Sequence, residues 1–207
     1  FLDERGEVLW GDRSFALTAQ DFMKKNPGAK VVTPISSSNA IVDVVKKGGG
    51  SIHWTRVGSV DVSRAMVENG IMFGGEENGG VMYGPHHPVR DGSMTMALLL
   101  GIITEAGRPL STLVAELPQY SQLKGKIACP NEKKLKLLEA LQGKISAPHV
   151  ETSDGLKLSF PDKSWILIRP SGTEPIFRIY AEAATQQIVE ELMRVNKKII
   201  EETLKTL

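Results

Sequence analysis

Between residues 30 and 75 short apolar runs alternate with amphipathic ones, and this alternation constrains the fold more than any other feature of the chain. "KVVTPIS" (30–36) reads as a buried strand. The serines after it supply helix caps, and "NAIVDVVKKGGG" reads as a short helix stopped by Gly48 to Gly50. "SIHWTRV" alternates like a strand. "DVSRAMVENG" reads as a second helix, with an acidic start and an Asn69-Gly70 stop. "IMFGG" is a brief apolar strand. Strand, helix, strand, helix, strand predicts an α/β layer with crossover connections. An apolar helix should follow from near Asp91 to Gly107, packed on the sheet.

The remainder has a different character. Pro109 and Pro118 frame a short amphipathic helix, and a polar stretch follows it. A boundary near residues 118–123 is expected, giving domains 1–118 and 123–207. In the second, "KIACP" reads as a strand and "NEKKLKLLEALQGK" as a helix with Asn131 as N-cap. "HVETSDGLKLSF" reads as a hairpin turning at Asp154-Gly155. "WILIRP" and "IFRIYAEA" are further strands, and a long amphipathic helix closes the chain. This pattern predicts a small α+β domain with helices on one face of its sheet. The start, "FLDERGEVLWGD", reads as a hairpin bending at Arg5-Gly6, and a strand from Phe1 suggests a chain that continues upstream.

Composition narrows the function. A net charge of +1 over 207 residues offers no global field for nucleic acid or an anionic membrane. No apolar run approaches the roughly 20 residues of a membrane span. The single cysteine, Cys129, suits a core position in a reducing, cytoplasmic setting. Any anion site must be local.

Two stretches qualify as sites. In "IRPSGTEPIFRIYAEA" (168–183), Arg169 ends one strand and Arg178 lies on the next. Ser171 and Thr173 offer hydroxyls, and Gly172 permits close backbone approach. Arginine with hydroxyl and amide donors suits a phosphate. The competing reading is a tight turn with an Arg169–Glu174 ion pair. Glu174 repels phosphate, so its expected role is to orient Arg178 or close the turn. The second stretch is "FGGEENGGVMYG" (73–84), where glycines flank Glu76, Glu77 and Asn78. A carboxylate beside an amide suits a hydroxyl-rich ligand, and a solvated surface turn is the alternative. Adjacent Glu76 and Glu77 are poorly placed to act as a glycosidase pair from opposite faces. His86-His87 lacks further ligands at metal spacing and reads as loop. The glycine run after Lys47 is followed by no Walker lysine, which excludes a P-loop.

"GGEENGG", "RDGSMTMALLL" and "RPSGTEPIFRIYAEA", in that order, resemble the α-D-phosphohexomutases, the phosphoglucomutase/phosphomannomutase group, in archaeal-like form. The resemblance covers the whole chain but only the third and fourth of the family's four domains. It implies a mixed α/β third domain and an α+β fourth domain. It further implies that Arg169, Ser171, Gly172, Thr173 and Arg178 bind phosphate and that Glu76 and Asn78 contact the sugar. Asn78 stands where the family has Ser, and Gly80 stands where many relatives have His. "TRVG", Thr55 to Gly58, resembles another loop facing the active site. The implied reaction interconverts hexose 1-phosphate and 6-phosphate through a phosphoserine and a bisphosphate intermediate, supported by Mg²⁺. The phosphoserine and Asp-rich metal loops have no counterpart in these residues, so the resemblance places them on N-terminal domains that this chain would partner. The chain alone is then expected to recognise phosphosugars without turnover. A stand-alone phosphosugar-binding module is the alternative. The sugar stays open among glucose, mannose, glucosamine and a pentose, and closure about a hinge near 118–123 is a further expectation.

Overall fold

The computed structural model describes residues 1–207. Its chain falls into two compact units, Phe1–Gln119 and Tyr120–Leu207.

The first unit begins with a turn, not a full hairpin. Leu2 and Val8 form one isolated antiparallel bridge around Gly6, whose φ is +80°. Helix α1 (Gly11–Lys25) follows, an element the sequence reading passed over. Its first turn lacks a side-chain cap, and its buried face includes Ser14, Ala16, Thr18 and Ala19 as well as Phe15 and Phe22. Small and polar residues on the inner face blur the apolar period that marks a helix. Next come β1 (Lys30–Pro34), α2 (Asn39–Lys47), β2 (Ser51–Thr55), α3 (Ser59–Asn69) and β3 (Phe73–Gly75). Ser38 Oγ accepts from the Ala40 amide, capping α2, and Gly70 in the left-handed region ends α3.

Strands β2, β1 and β3 are parallel, as crossover helices require. Two further strands, β4 (Val81–Tyr83) and β5 (His87–Arg90), extend the sheet antiparallel in the order β2-β1-β3-β4-β5. Thus the stretch read as a loop over residues 73–84 is a hairpin, and His87 opens an edge strand. These strands are short and glycine-flanked, which hid them. Helix α4 (Gly92–Ala106) has Asp91 as N-cap and Gly107 as left-handed C-cap. It packs against α1 and β4 and buries only Thr95, Leu99 and Ile102, while Met96 and Leu100 stay about half exposed. Helix α5 (Leu110–Ala115) completes the unit.

The second unit is one antiparallel sheet in the order β6-β10-β9-β8-β7. Its strands are β6 (Ser121–Ala128), β7 (His149–Glu151), β8 (Leu156–Ser159), β9 (Trp165–Pro170) and β10 (Ile176–Ala183). β6 starts earlier than read: Ser121 to Leu123 pair with Ala183 to Ala181. Helices α6 (Lys134–Gln142) and α7 (Gln186–Lys205) pack on one face. Leu137, Leu141, Val189 and Met193 meet Ile166, Ile168, Phe177 and Ile179 there, with Cys129 fully buried among them. Asn131 lies within a short 3-10 turn after Pro130 and does not cap α6.

Candidate functional site

The loop between β9 and β10 is built by short-range bonds. The Ser171 amide donates to Ile176 O (2.9 Å), and the Ile176 amide to Glu174 O (2.8 Å). The Cys129 amide donates to Pro175 O (2.9 Å), tying the loop to the end of β6. Ser171 is buried, and its Oγ accepts from the amides of Thr173 (3.4 Å) and Glu174 (3.2 Å). Those two amides are therefore directed into the loop. The donors left toward solvent are the Gly172 amide and the Thr173 hydroxyl, both on exposed residues. Gly172 is exposed, does not adopt positive φ, and would meet nothing if given a Cβ. Neither backbone strain nor crowding demands glycine here, which leaves open approach from solvent as its physical advantage.

Arg169 and Arg178 are direct cross-strand partners, and Arg178 is in turn opposite Lys126. The three lie in one row on the sheet face away from α6 and α7. Like charges facing one another across strands are unfavourable unless neutralised. Each arginine has a carboxylate. Arg178 pairs with Glu174, as its orienting role required. Arg169 pairs with Asp154 instead of Glu174: Nη2 donates to Asp154 Oδ1 (3.2 Å), and Nε lies 3.0 Å from Oδ2. The Nε–H is buried and makes no hydrogen bond beyond this ion-pair contact. Asp154 reaches Arg169 because Gly155 follows it. At φ +92°, with Ile168 O 2.4 Å from an added Cβ, only glycine lets the β7–β8 turn press on β9. Beside the loop lies a recess of about 380 Å³ lined by Lys124, Lys126, Glu174, Arg178 and Tyr180. A larger apolar groove, about 750 Å³ along α7 and including Phe160 and Ile188, holds none of these groups.

In the first unit, Glu76 to Gly80 form the β3–β4 turn. The Gly79 amide donates to Glu76 O (3.0 Å) and the Glu76 amide to Gly80 O (3.2 Å). Glu76 and Glu77 are both buried, unlike the charges of a solvated turn. Ser36 Oγ donates to Glu77 Oε2 at 2.8 Å, so Glu77 points inward. Asn78 is exposed. Its Oδ1 accepts from the Gly80 amide (3.0 Å), which leaves the side-chain NH₂ outward. Arg90 Nη1 lies 3.5 Å from Glu76 Oε2, too far for a good hydrogen bond, and that oxygen is buried without a partner. Burial pushes the Glu76 carboxyl above its ordinary range, Arg90 opposes this, and Glu77 adds to it. Gly80 is what admits Arg90, whose Cδ would sit 2.3 Å from an added Cβ. At "TRVG", Arg56 pairs with Asp61 at 3.4 Å and Gly58 takes φ +150°.

The sequence marks Asp154 only as a turn residue, and it does not mark Arg90 or Lys134 as site residues. Each comes from a segment remote in sequence, and only the fold brings it to its loop. No group of three or more His, Cys, Asp or Glu side chains could hold a metal ion, and no helix is long and apolar enough to cross a membrane.

Fold and loops together define a chain of one mixed α/β unit and one antiparallel α+β unit, each carrying a polar turn. The family model for phosphoglucomutase/phosphomannomutase alpha/beta/alpha domain III matches residues 10–120, and that for the C-terminal domain matches 126–198. The chain belongs to this family. A phosphoglucomutase/phosphomannomutase of Thermococcus kodakarensis is 39% identical over 99% of the chain, which spans 45% of that protein. A phosphoglucosamine/phosphogalactosamine mutase of Sulfurisphaera tokodaii is also 39% identical, with 97% and 45% covered. A crystal structure of a family member from Burkholderia thailandensis superposes with a TM-score of 0.83 at 25% identity, covering 96% of this chain and 43% of that one. The chain thus spans under half the length of these relatives.

Proposed function

We propose that this chain is the sugar- and phosphate-recognition part of a phosphohexomutase that interconverts hexose 1-phosphate and 6-phosphate through a phosphoserine enzyme and a bisphosphate. The observation that carries the reading is the Arg169–Thr173 loop. It offers an exposed Gly172 amide and Thr173 hydroxyl, beside buried Ser171 and an Arg169 whose Nε–H makes no hydrogen bond. Such a donor set suits a tetrahedral dianion. Arg178 borders the same recess.

Glu76 and Asn78 are the proposed sugar contacts. A buried carboxylate oxygen without a partner gains a hydrogen bond when a sugar hydroxyl donates to it. Asn78 NH₂ can donate to a neighbouring oxygen. A substrate that must bind in two orientations needs one phosphate cup and one hydroxyl-reading turn that serve both.

Mg²⁺ is the cofactor proposed for the whole enzyme, but this chain lacks a carboxylate or histidine cluster that fits it. The metal and phosphoserine loops are assigned to N-terminal domains of the whole enzyme. A cytoplasmic setting fits phosphorylated sugars as substrates.

The test is calorimetry with glucose 6-phosphate and with glucose, followed by ³¹P NMR of the mixture. Heat with the phosphate only, and no 1-phosphate formed, is expected. Equal binding of glucose would sink the phosphate assignment, and turnover would sink the division of labour.

A further inference from the structure

The two arginines of the phosphate loop carry little net charge between them. Arg169 is matched by Asp154, and Arg178 by Glu174. A phosphate monoester brings close to two negative charges. Two cations near the loop lack a carboxylate, Lys126 across from Arg178 and Lys134, the first residue of α6, and of these Lys134 bonds to the loop itself. Its Nζ donates to Ser171 O and to Glu174 O, each at 2.6 Å. These carbonyls lie at the two ends of the Ser171–Glu174 turn. Lys134 has no carboxylate partner and makes no other side-chain bond.

We infer that Lys134 is the positioning residue of the phosphate loop: its ammonium staples the turn from beneath and supplies the positive charge that the paired arginines do not. This inference rests on the loop being the phosphate site. Physically, the staple acts in two ways. It holds the Ser171 and Glu174 carbonyls toward α6, which leaves the Gly172 amide and the Thr173 hydroxyl on the solvent side. It also holds a positive charge with no carboxylate partner directly against the loop. Lysine suits this task because three donors on one point charge can serve two carbonyls at once.

The experiment compares Lys134→Met and Lys134→Arg with the wild-type chain. Inorganic phosphate is titrated by NMR at two salt concentrations, and amide hydrogen exchange is measured without ligand. Lys134→Met is expected to weaken phosphate about tenfold and to flatten the salt dependence, as loss of one charge-assisted contact should. Lys134→Arg should stay within about threefold of wild type, because a guanidinium can also donate to two carbonyls. The unliganded loop should exchange its Thr173 and Glu174 amides about tenfold faster in Lys134→Met, because Ser171 loses its anchor. A purely structural lysine would change exchange but not salt dependence, which would overturn the electrostatic half. Wild-type exchange and wild-type phosphate binding in Lys134→Met would overturn the inference entirely. If the wild-type chain itself fails to bind phosphate, the site reading fails and the charge-supply role with it, while the exchange data still decide the staple.

Discussion

Arg169 on β9 and Asp154 in the β7–β8 turn hold one another with Nε and Oδ2 3.0 Å apart, and both side chains are only 16% exposed. An arginine left alone in that position would be a largely buried, uncompensated charge. Asp154→Asn is therefore expected to destabilise the chain by about 1–3 kcal/mol. Phosphate should recover part of that loss by pairing with Arg169. Urea midpoints with and without phosphate check this. A variant that phosphate stabilises no more than wild type would contradict the role given to Arg169.

Glu76 gives a pH signature. Its carboxyl is held above the ordinary value of 4.5 chiefly by burial. The unfolded chain ionises it more readily, so this group favours folding below pH 4.5 and loses that contribution as pH rises through the folded value. Glu76→Gln should therefore be more stable than wild type at neutral pH, with the gap shrinking toward pH 4. Thermal melts over that range decide it, and a gap that widens on acidification would reverse the assignment. The same variant should weaken sugar-phosphate binding while leaving inorganic phosphate unaffected.

Lys157 titrates in the opposite sense. It is buried on β8 with its ammonium 4.5 Å from the Trp165 ring centre, and burial lowers its pKa from 10.5 to about 8, against the pull of Glu151 and Glu182. Between these values the folded chain has shed the proton and the unfolded chain has not, so stability should rise with pH from about 8 to 10.5 and be lost as pH falls through 8. Lys157→Met should remove that rise. Urea midpoints from pH 7 to 10 provide the test, and an unchanged slope in the variant would place the titration elsewhere.

The legible parts of the fold are those with local punctuation. Ser38, Asp91 and Thr185 cap the helices that follow them, and Gly70 and Gly107 end theirs. Helix α1 has no such start, and its inner face mixes Ser14 and Thr18 with Phe15, so its period was lost. Helix α4 is apolar all round, and a helix of that kind does not reveal which face is buried. The loops behaved likewise. Arg169, Ser171, Gly172 and Thr173 are contiguous and could be read as one donor set. Asp154 and Lys134 complete that loop from 15 and 37 residues away in the chain, measured to Arg169 and Ser171. Nothing in their own neighbourhoods signals the partnership.

The most direct measurement is an NMR titration of the chain with glucose 6-phosphate, glucose 1-phosphate and glucose, repeated on Arg169→Ala. Both phosphates should shift the amides of residues 169–178, glucose should leave them unmoved, and the variant should lose the response. Shifts that persist in Arg169→Ala, or that appear equally with glucose, would contradict a phosphate cup at this loop.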